Sequence, residues 1–259
     1  MAVIPKRRRR NPTGTMTLME HLGELRTRLI ICMLALLVAA IPAWFLYGPV
    51  FTFLSNPFCS FMTAHPTLAA NPAHPCNLYW NSPVEPFLVK VKVVSVLALG
   101  IALPVVLYEG WRFITPGLTS RERRYSVPFV LSSMVLFGLG AAFALFTLPK
   151  ALNFLLGFAG TIRVALILSV AKYLGFTLLL ILAFGVSFEF PLLLIFLMMV
   201  GVLSSRRLLQ WQRYAVVGIA VFAAVITPSQ DWFTMSAMMV PLIVFYYLAI
   251  LVGRFILKK

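Results

Sequence analysis

The chain has 259 residues, of which 61% are hydrophobic and only 11% are charged, and its formal net charge is +15. A soluble domain carries about 25% charged residues, so the composition excludes an ordinary water-soluble protein. The apolar runs have the length of helices rather than the alternation of strands, which predicts an all-α integral membrane protein. Basic residues flank these runs. Their position indicates that they set the orientation in the membrane and contact anionic lipids, rather than bind nucleic acid.

The start of the chain is basic and precedes the first apolar run. Residues 1–16 contain the run KRRRR and are predicted to form a disordered cytoplasmic tail. About 20 residues separate that run from the apolar segment, which argues against a secretory signal. The next residues read TLME, a capping box from Thr17 to Glu20 that predicts the start of a helix.

Six apolar segments predict six transmembrane helices within one domain, residues 17–255, followed by a short cytoplasmic tail, 256–259. The predicted spans are 29–47, 87–113, 127–148, 172–200, 214–227 and 233–252. Four of them contain a proline that is expected to kink or break the helix: Pro42, Pro104, Pro191 and Pro241. The fifth span reaches only about 21 Å against a hydrocarbon core of about 30 Å, so spans 5 and 6 are expected to be a shallow hairpin or to lie in thinned bilayer.

The distribution of lysine and arginine predicts the orientation. Seventeen of the 22 basic residues lie in the two terminal segments and in the loops after spans 2 and 4. The positive-inside rule therefore places both termini in the cytoplasm and the loops 48–86 and 149–171 outside. The first outer loop contains Cys59 and Cys76. These two cysteines either form a disulfide or remain free thiols, and the sequence does not decide between the alternatives because it does not give their Cα separation.

Sequence motifs for catalysis are absent. The chain has no GxxxxGK[ST], HExxH or GxSxG sequence. Its three histidines, His21, His65 and His74, do not cluster with cysteine or acidic residues at metal-ligand spacing. We therefore expect no enzyme, no cofactor and no metal, and an intramembrane hydrolase ranks last among the hypotheses.

Acidic residues are scarce, so each is informative: Glu20, Glu24, Glu85, Glu109, Glu122, Glu189 and Asp231. Glu24 either pairs with Arg28 one helical turn later or accepts an incoming guanidinium at the membrane surface. Glu122 either completes a capping box with Thr119 or lies at the same cytoplasmic surface as Glu24.

The other carboxylates have different surroundings. Glu189 lies inside span 4, where it is either a polar clamp between helices or a site for a partner or a proton. Glu85 and Asp231 are expected at the outer ends of spans, as caps or turn acceptors. Glu109, near the cytoplasmic end of span 2, is within reach of Arg112 three residues later.

Several segments together resemble the TatC family, the multispanning component of the twin-arginine protein translocase. They are HLGELRTRL at 21–29, PVEPFLVKVK at 83–92, LPVVLYEGWRFITPGLTSRERR at 103–124, FGLGAAFALF at 137–146, FGVSFEFP at 184–191 and TPSQD at 227–231. The resemblance covers about residues 17–255 and leaves out the basic tail and the Cys59/Cys76 loop. Glu109 stands where the family is expected to prefer an uncharged polar residue such as Gln.

The resemblance implies a concave, glove-like bundle in a bacterial cytoplasmic (inner) membrane. It implies a receptor for folded cargo with a paired-arginine signal, working with TatA- and TatB-type single-span partners in an oligomeric complex driven by the proton gradient. Glu24 and Glu122 match the family's signal-binding carboxylates, and Glu189 and Asp231 match its acids in span 4 and after span 5. The surrounding cytoplasmic patch is matched by His21, Arg26, Phe113, Pro116 and Leu118.

A second hypothesis is a proton-coupled small-molecule transporter that uses Glu189. The sequence has no internal repeat and no second charged residue at the predicted midplane, which are features expected of many such transporters. The translocase receptor is therefore the leading hypothesis.

Overall fold

The computed structural model describes residues 18–66, 71, 74, 76, 78–114, 126–157, 168–229 and 231–255. The tails predicted at 1–16 and 256–259, and Thr17 of the capping box, lie outside these residues. The regular elements within them are α1 (Leu18–Ala64), α2 (Glu85–Ile114), α3 (Ser126–Gly157), α4 (Val170–Ser187), α5 (Phe190–Met199), α6 (Ser205–Gln210), α7 (Gln212–Ile226) and α8 (Trp232–Phe255).

Five helical segments are long and apolar enough to cross a membrane. They are Leu22–Ala64, Glu85–Phe113, Val127–Leu155, Val170–Met199 and Trp232–Phe255. The remaining apolar helix, α7, has 15 residues and is about 22 Å long, shorter than the bilayer core. The described part of the chain is therefore that of an all-helical, multi-pass membrane protein.

The first helix is much longer than the sequence predicts. It has 47 residues and extends about 70 Å, so the prediction that span 1 ends at Tyr47 and a loop begins there is wrong. Gly48 and Pro49 resemble a helix stop, but the helix continues because its next turns are buried. The buried side chains are Leu54, Phe58, Phe61 and Met62. Burial of these side chains against the core outweighs the cost of the internal prolines.

A break in the helix occurs at one of the four predicted prolines. The helices α1, α2 and α8 continue through Pro42, Pro104 and Pro241. The fourth predicted span is divided into α4 and α5 at Phe188 and Glu189. Pro191 lies in the first turn of α5, where its missing N–H removes no hydrogen bond.

The main core joins the C-terminal half of α1 to α2, α3, α4, α5 and α8. Its large tyrosines have their hydroxyl groups satisfied by carbonyls. Tyr173 donates to the carbonyl of Leu54 at 2.8 Å, and Tyr246 donates to the carbonyl of Leu208 at 2.6 Å. Each tyrosine thus adds buried ring area without leaving a polar atom unpaired.

Small residues bring helices close together. Gly140 of α3 lies so near α4 that a Cβ there would stand 2.6 Å from the carbonyl oxygen of Phe184. Along the contact of α1 with α2, a smaller cluster is built mostly from alanines: Ala39, Ala43, Val94, Ala98 and Ala102. Close packing of small residues is a usual helix contact in membranes, and here it joins the middle of α1 to the middle of α2.

Candidate functional site

A charged network joins the N-terminal part of α1 to the C-terminal part of α2. It consists of Glu24 and Arg28 on α1 and Glu109 and Arg112 on α2. Arg28 Nη2 pairs with Glu24 Oε1, and Arg28 Nη1 lies 3.3 Å from Glu109 Oε2. Arg112 Nη1 lies 3.9 Å from Glu109 Oε1. One guanidinium therefore bridges two carboxylates on neighbouring helices.

The members of this network differ in their exposure. The side chains of Arg28 and Glu109 are 11% and 8% exposed, that of Glu24 is 25% exposed, and that of Arg112 is 59% exposed. Charges shielded from water interact more strongly than charges at the surface. The contact of Arg28 with Glu109 is therefore the firm part of the network, whereas the long contact to Arg112 is weakened by solvent.

Two polar atoms of the network have no hydrogen-bond partner among the described residues. They are Glu24 Oε2 and Arg28 Nε, and both are buried. An ionised carboxylate accepts hydrogen bonds on both oxygens, and buried polar atoms are normally paired. Glu24 Oε2 therefore lacks a donor among the described residues, while the other oxygen of Glu24 is held by Arg28.

An aromatic cluster supports α2 directly beside this network. The Trp111 ring is stacked on Phe129 of α3 with centroids 4.0 Å apart, and it meets Phe196 of α5 edge-on at 5.0 Å. Trp111 is buried. The contacts fix the C-terminal turn of α2 against two other helices and thereby fix the backbone that carries Glu109 and Arg112.

The structure describes only some of the other predicted signal-binding residues. Arg26 is exposed and lines a groove of about 410 Å³ with apolar side chains of α1. Phe113 is half-buried and lies one helical turn after Glu109. The remaining residues of this prediction, Glu122, Pro116 and Leu118, lie outside the described residues, as does the side chain of His21.

Glu189 lies at the junction of α4 and α5, away from the charged network in sequence and on different helices. Its residue is half-buried. Its Oε1 atom is buried and has no hydrogen-bond partner in the described part of the chain. The prediction of a polar group inside a membrane span therefore corresponds to a carboxylate with an open acceptor.

Glu85 lies at the other end of α2 from Glu109. Their separation of 24 positions corresponds to about 36 Å along the helix, which is close to the thickness of a bilayer core. Glu85 accepts hydrogen bonds from the backbone N–H of Asn81 and the hydroxyl of Ser169. Ser169 also forms the isolated parallel bridge with Tyr79, so Glu85 ties the start of α2 to the start of α4.

A disulfide lies at the same end of the molecule as Glu85. Cys59 of α1 is bonded to Cys76 of the following segment, with Cα atoms 4.8 Å apart. The third cysteine, Cys32, is free. The disulfide fastens the segment after α1 back onto the last turns of that helix.

Asp231 caps α8. Its carboxylate accepts a hydrogen bond from the backbone N–H of Thr234 at 2.8 Å and another from the Thr234 hydroxyl at 2.6 Å. Partial burial raises the pKa of Asp231, but hydrogen bonds from Ser229, Thr234 and the backbone more than offset it and hold the pKa below its ordinary value. The geometry is that of a helix N-cap.

The sequence does not reveal the contact of Arg28 with Glu109, since 81 residues separate them. The sequence interpretation gave Glu109 only Arg112 as a partner, and that contact exists alongside the one to Arg28. The sequence does contain an indication of this contact, because an acid and a base at the ends of adjacent antiparallel spans are expected to pair. Among the described residues, no group of three or more His, Cys, Asp or Glu side chains could hold a metal ion.

The fold and the site define a multi-pass helical membrane protein with buried charges at one end. Residues 20–241 match the family model described as Sec-independent protein translocase protein, TatC. The chain belongs to the TatC family, a membrane component of protein transport rather than a family of enzymes.

Curated relatives support the same assignment along nearly the whole chain. The TatC protein of Aquifex aeolicus is 39% identical over 246 residues, which are 94% of this chain and 97% of the relative. The TatC protein of Frankia casuarinae is 39% identical over 252 residues, which are 96% of this chain and 68% of the relative.

Solved structures agree with the fold. A crystal structure of the twin-arginine translocase receptor TatC is 38% identical, has a TM-score of 0.73 and is covered over 98% of its length by 90% of this chain. A second crystal structure of that receptor, in the detergent DDM, has a TM-score of 0.75 at the same identity. The arrangement of helices is therefore that of a TatC receptor structure.

Proposed function

We propose that this chain is the receptor subunit of a twin-arginine translocase and binds the paired-arginine signal of folded cargo through Glu24 and Glu122. The single observation that carries the proposal is the Oε2 atom of Glu24, at the charged end of α1 and α2, which has no hydrogen-bond partner among the residues that the structure describes. Membership of the TatC family supplies the context, since solved structures of similar sequence are described as twin-arginine translocase receptors.

The chemistry favours arginine over lysine at such a carboxylate. A guanidinium is planar and offers several N–H donors in a fixed fork, whereas an ammonium group is a compact point charge. An incoming arginine can bind Glu24 Oε2 with a charge-assisted hydrogen bond while Oε1 stays with Arg28. The exposed Arg26 nearby repels a cation that does not find this acceptor, which adds selectivity.

The proposal also includes the residues around Glu24 and Glu122 and the membrane topology of the chain. His21, Phe113, Pro116 and Leu118 form the patch that receives the rest of the signal around Glu24 and Glu122. The chain spans a bacterial inner membrane six times, with α7 as the short fifth span and both termini in the cytoplasm. The support is the concentration of seventeen of 22 basic residues in the predicted cytoplasmic segments.

Glu189 is proposed to contact a partner helix. In an oligomeric complex with TatA- and TatB-type single-span proteins, driven by the proton gradient, a polar group on a partner would bind the open Oε1 atom. The half-buried position of Glu189 and the unpaired oxygen support this role, because a carboxylate inside a span is costly without a partner. A proton-coupled transporter using Glu189 is the alternative, and the family assignment disfavours it.

The proposal is tested by binding of a fluorescent signal peptide to the purified full chain in detergent. We expect the paired-Arg peptide to bind about tenfold or more tightly than its paired-Lys version. Glu24→Gln with Glu122→Gln is expected to remove that preference. Glu85→Gln is a matched control, because it makes the same chemical change at the other end of α2. Equal affinity of both peptides for every variant would overturn the proposal.

A further inference from the structure

We infer that Glu109 is a positioning residue of the signal-binding site: it holds the Arg28 guanidinium so that Glu24 Oε2 stays available to the signal's arginine. The inference rests on the proposed function, and it assigns a role to a buried carboxylate on α2 that does not itself contact the signal.

The guanidinium of Arg28 divides its hydrogen bonds between two carboxylates. A guanidinium facing a single carboxylate commonly forms two parallel N–H bonds to its two oxygens. Arg28 instead gives Nη2 to Glu24 Oε1 and Nη1 to Glu109 Oε2, and its Nε atom has no partner among the described residues. Glu109 thus takes the donor that would otherwise reach the second oxygen of Glu24.

Glu109 also changes the balance of charge around Arg28. Glu24 and Arg28 alone sum to zero, and Glu109 brings the three to −1 in a chain whose net charge is +15. Arg112 opposes this only weakly, because its side chain is 59% exposed and 3.9 Å from Glu109. Glu109 is 8% exposed, so its charge acts on Arg28 with little screening. The Arg28 guanidinium is therefore balanced by two carboxylates rather than by Glu24 alone.

Replacing Glu109 by glutamine is expected to change both properties while leaving the size of the side chain nearly the same. Arg28 loses its second counter-ion, and because the neutral amide oxygen of glutamine holds a guanidinium less strongly than a carboxylate does, Arg28 turns toward Glu24 and competes for both of its oxygens. The three residues then sum to zero. We expect Glu109→Gln to weaken binding of the paired-Arg peptide by about tenfold and to reduce the preference for arginine over lysine.

A second substitution separates this role from a merely structural one. In the double variant Glu109→Gln with Arg28→Gln, the competing guanidinium is gone and both oxygens of Glu24 are free again. We expect the double variant to bind the paired-Arg peptide more tightly than Glu109→Gln alone. A residue that only stabilised the helix pair would not be rescued by removing its partner as well. Thermal melting in detergent and Glu85→Gln serve as controls for folding.

Arg28→Lys gives an independent test with Glu109 intact. A lysine cannot divide a planar fork between two carboxylates, so its point charge competes directly for Glu24, and affinity is expected to fall a few-fold. The inference is overturned if Glu109→Gln binds like wild type, if the double variant binds no better than Glu109→Gln, or if Arg28→Lys has full affinity. If Glu24→Gln also binds normally, the proposed function fails instead; a weakened Glu24→Gln confines the failure to Glu109.

Discussion

The two ends of α2 each carry a glutamate, and their surroundings are opposite. Glu85 accepts hydrogen bonds from two neutral donors, the N–H of Asn81 and the hydroxyl of Ser169. Glu109 lies between two guanidinium groups, those of Arg28 and Arg112. The first carboxylate ties the starts of two helices together, whereas the second pairs with the guanidinium that also contacts Glu24.

The difference shows how to distinguish structural from functional acids in a membrane protein. At the disulfide end, defined by Glu85, Ser169 and the Cys59–Cys76 bond, the carboxylate has partners from its own fold. At the charged end, Glu24 keeps an oxygen without a partner among the described residues. Substitutions at the first end should change stability but not signal binding, and those at the second should do the reverse.

The largest effect on stability is expected from removing the disulfide. Cys59→Ser with Cys76→Ser should lower the free energy of unfolding by about 3 kcal/mol. The two cysteines are 17 positions apart, and a bond that closes a loop of this length removes conformational entropy from the unfolded chain. Chemical denaturation or thermal melting in detergent, with and without reductant, measures it. Signal-peptide affinity should stay within twofold, and a large loss of affinity would show that the two ends are coupled.

A smaller loss of stability is expected from Ser169→Ala. The substitution removes the hydroxyl that Glu85 accepts, and leaves the backbone contacts of Ser169 with the Tyr79 segment in place. The melting temperature should fall by less than in the double cysteine variant, with unchanged peptide binding. Thr177→Ala is a useful comparison on the same helix, because its buried hydroxyl has no hydrogen-bond partner among the described residues. An equal effect of both substitutions would contradict the role given to Ser169.

Asp231→Ala should cost about 1 kcal/mol at neutral pH, the usual cost of losing a side-chain helix cap. The folded-state pKa is lowered, so the charged form stabilises the fold above the unfolded-state pKa of about 3.9. That contribution is lost as the pH falls through the folded-state pKa. Melting of wild type and variant at about pH 7 and at about pH 3 should show a gap that narrows on acidification. A constant gap would exclude the charge as its source.

The fold was predictable from sequence to the extent that burial follows apolar runs. The central parts of the predicted spans are helical, as the runs in α2, α3 and α8 indicate. The continuation of α1 past Pro49 was not predictable, because Gly48 and Pro49 indicate a stop locally and the burial that outweighs it comes from other helices. The division at Phe188 and Glu189 was expected from Pro191, but its exact place depends on packing.

The site was predictable at the level of single residues but not of their geometry. Scarcity of acids directed attention to Glu24, and its pairing with Arg28 follows from their spacing on one helix. The bridge from Arg28 to Glu109 depends on how α1 and α2 align, which no local pattern contains. The open oxygen of Glu24 follows from that bridge, so the feature that best supports function arises only in the folded chain.

The smallest expected effect comes from Arg112→Gln, and it tests the charged end most selectively. Arg112 is largely exposed and its nearest oxygen on Glu109 is 3.9 Å away, so loss of that contact should lower the free energy of unfolding by less than about 0.5 kcal/mol. Removing this positive charge makes the network one unit more negative, and the paired-Arg peptide should bind up to about threefold more tightly at low salt. The gain should vanish at high salt, because an exposed charge is screened there. Binding should be measured at both salt concentrations alongside Arg206→Gln, an exposed arginine of α6. A gain in that control as well would mean that overall charge, and not the network around Glu109, sets the affinity.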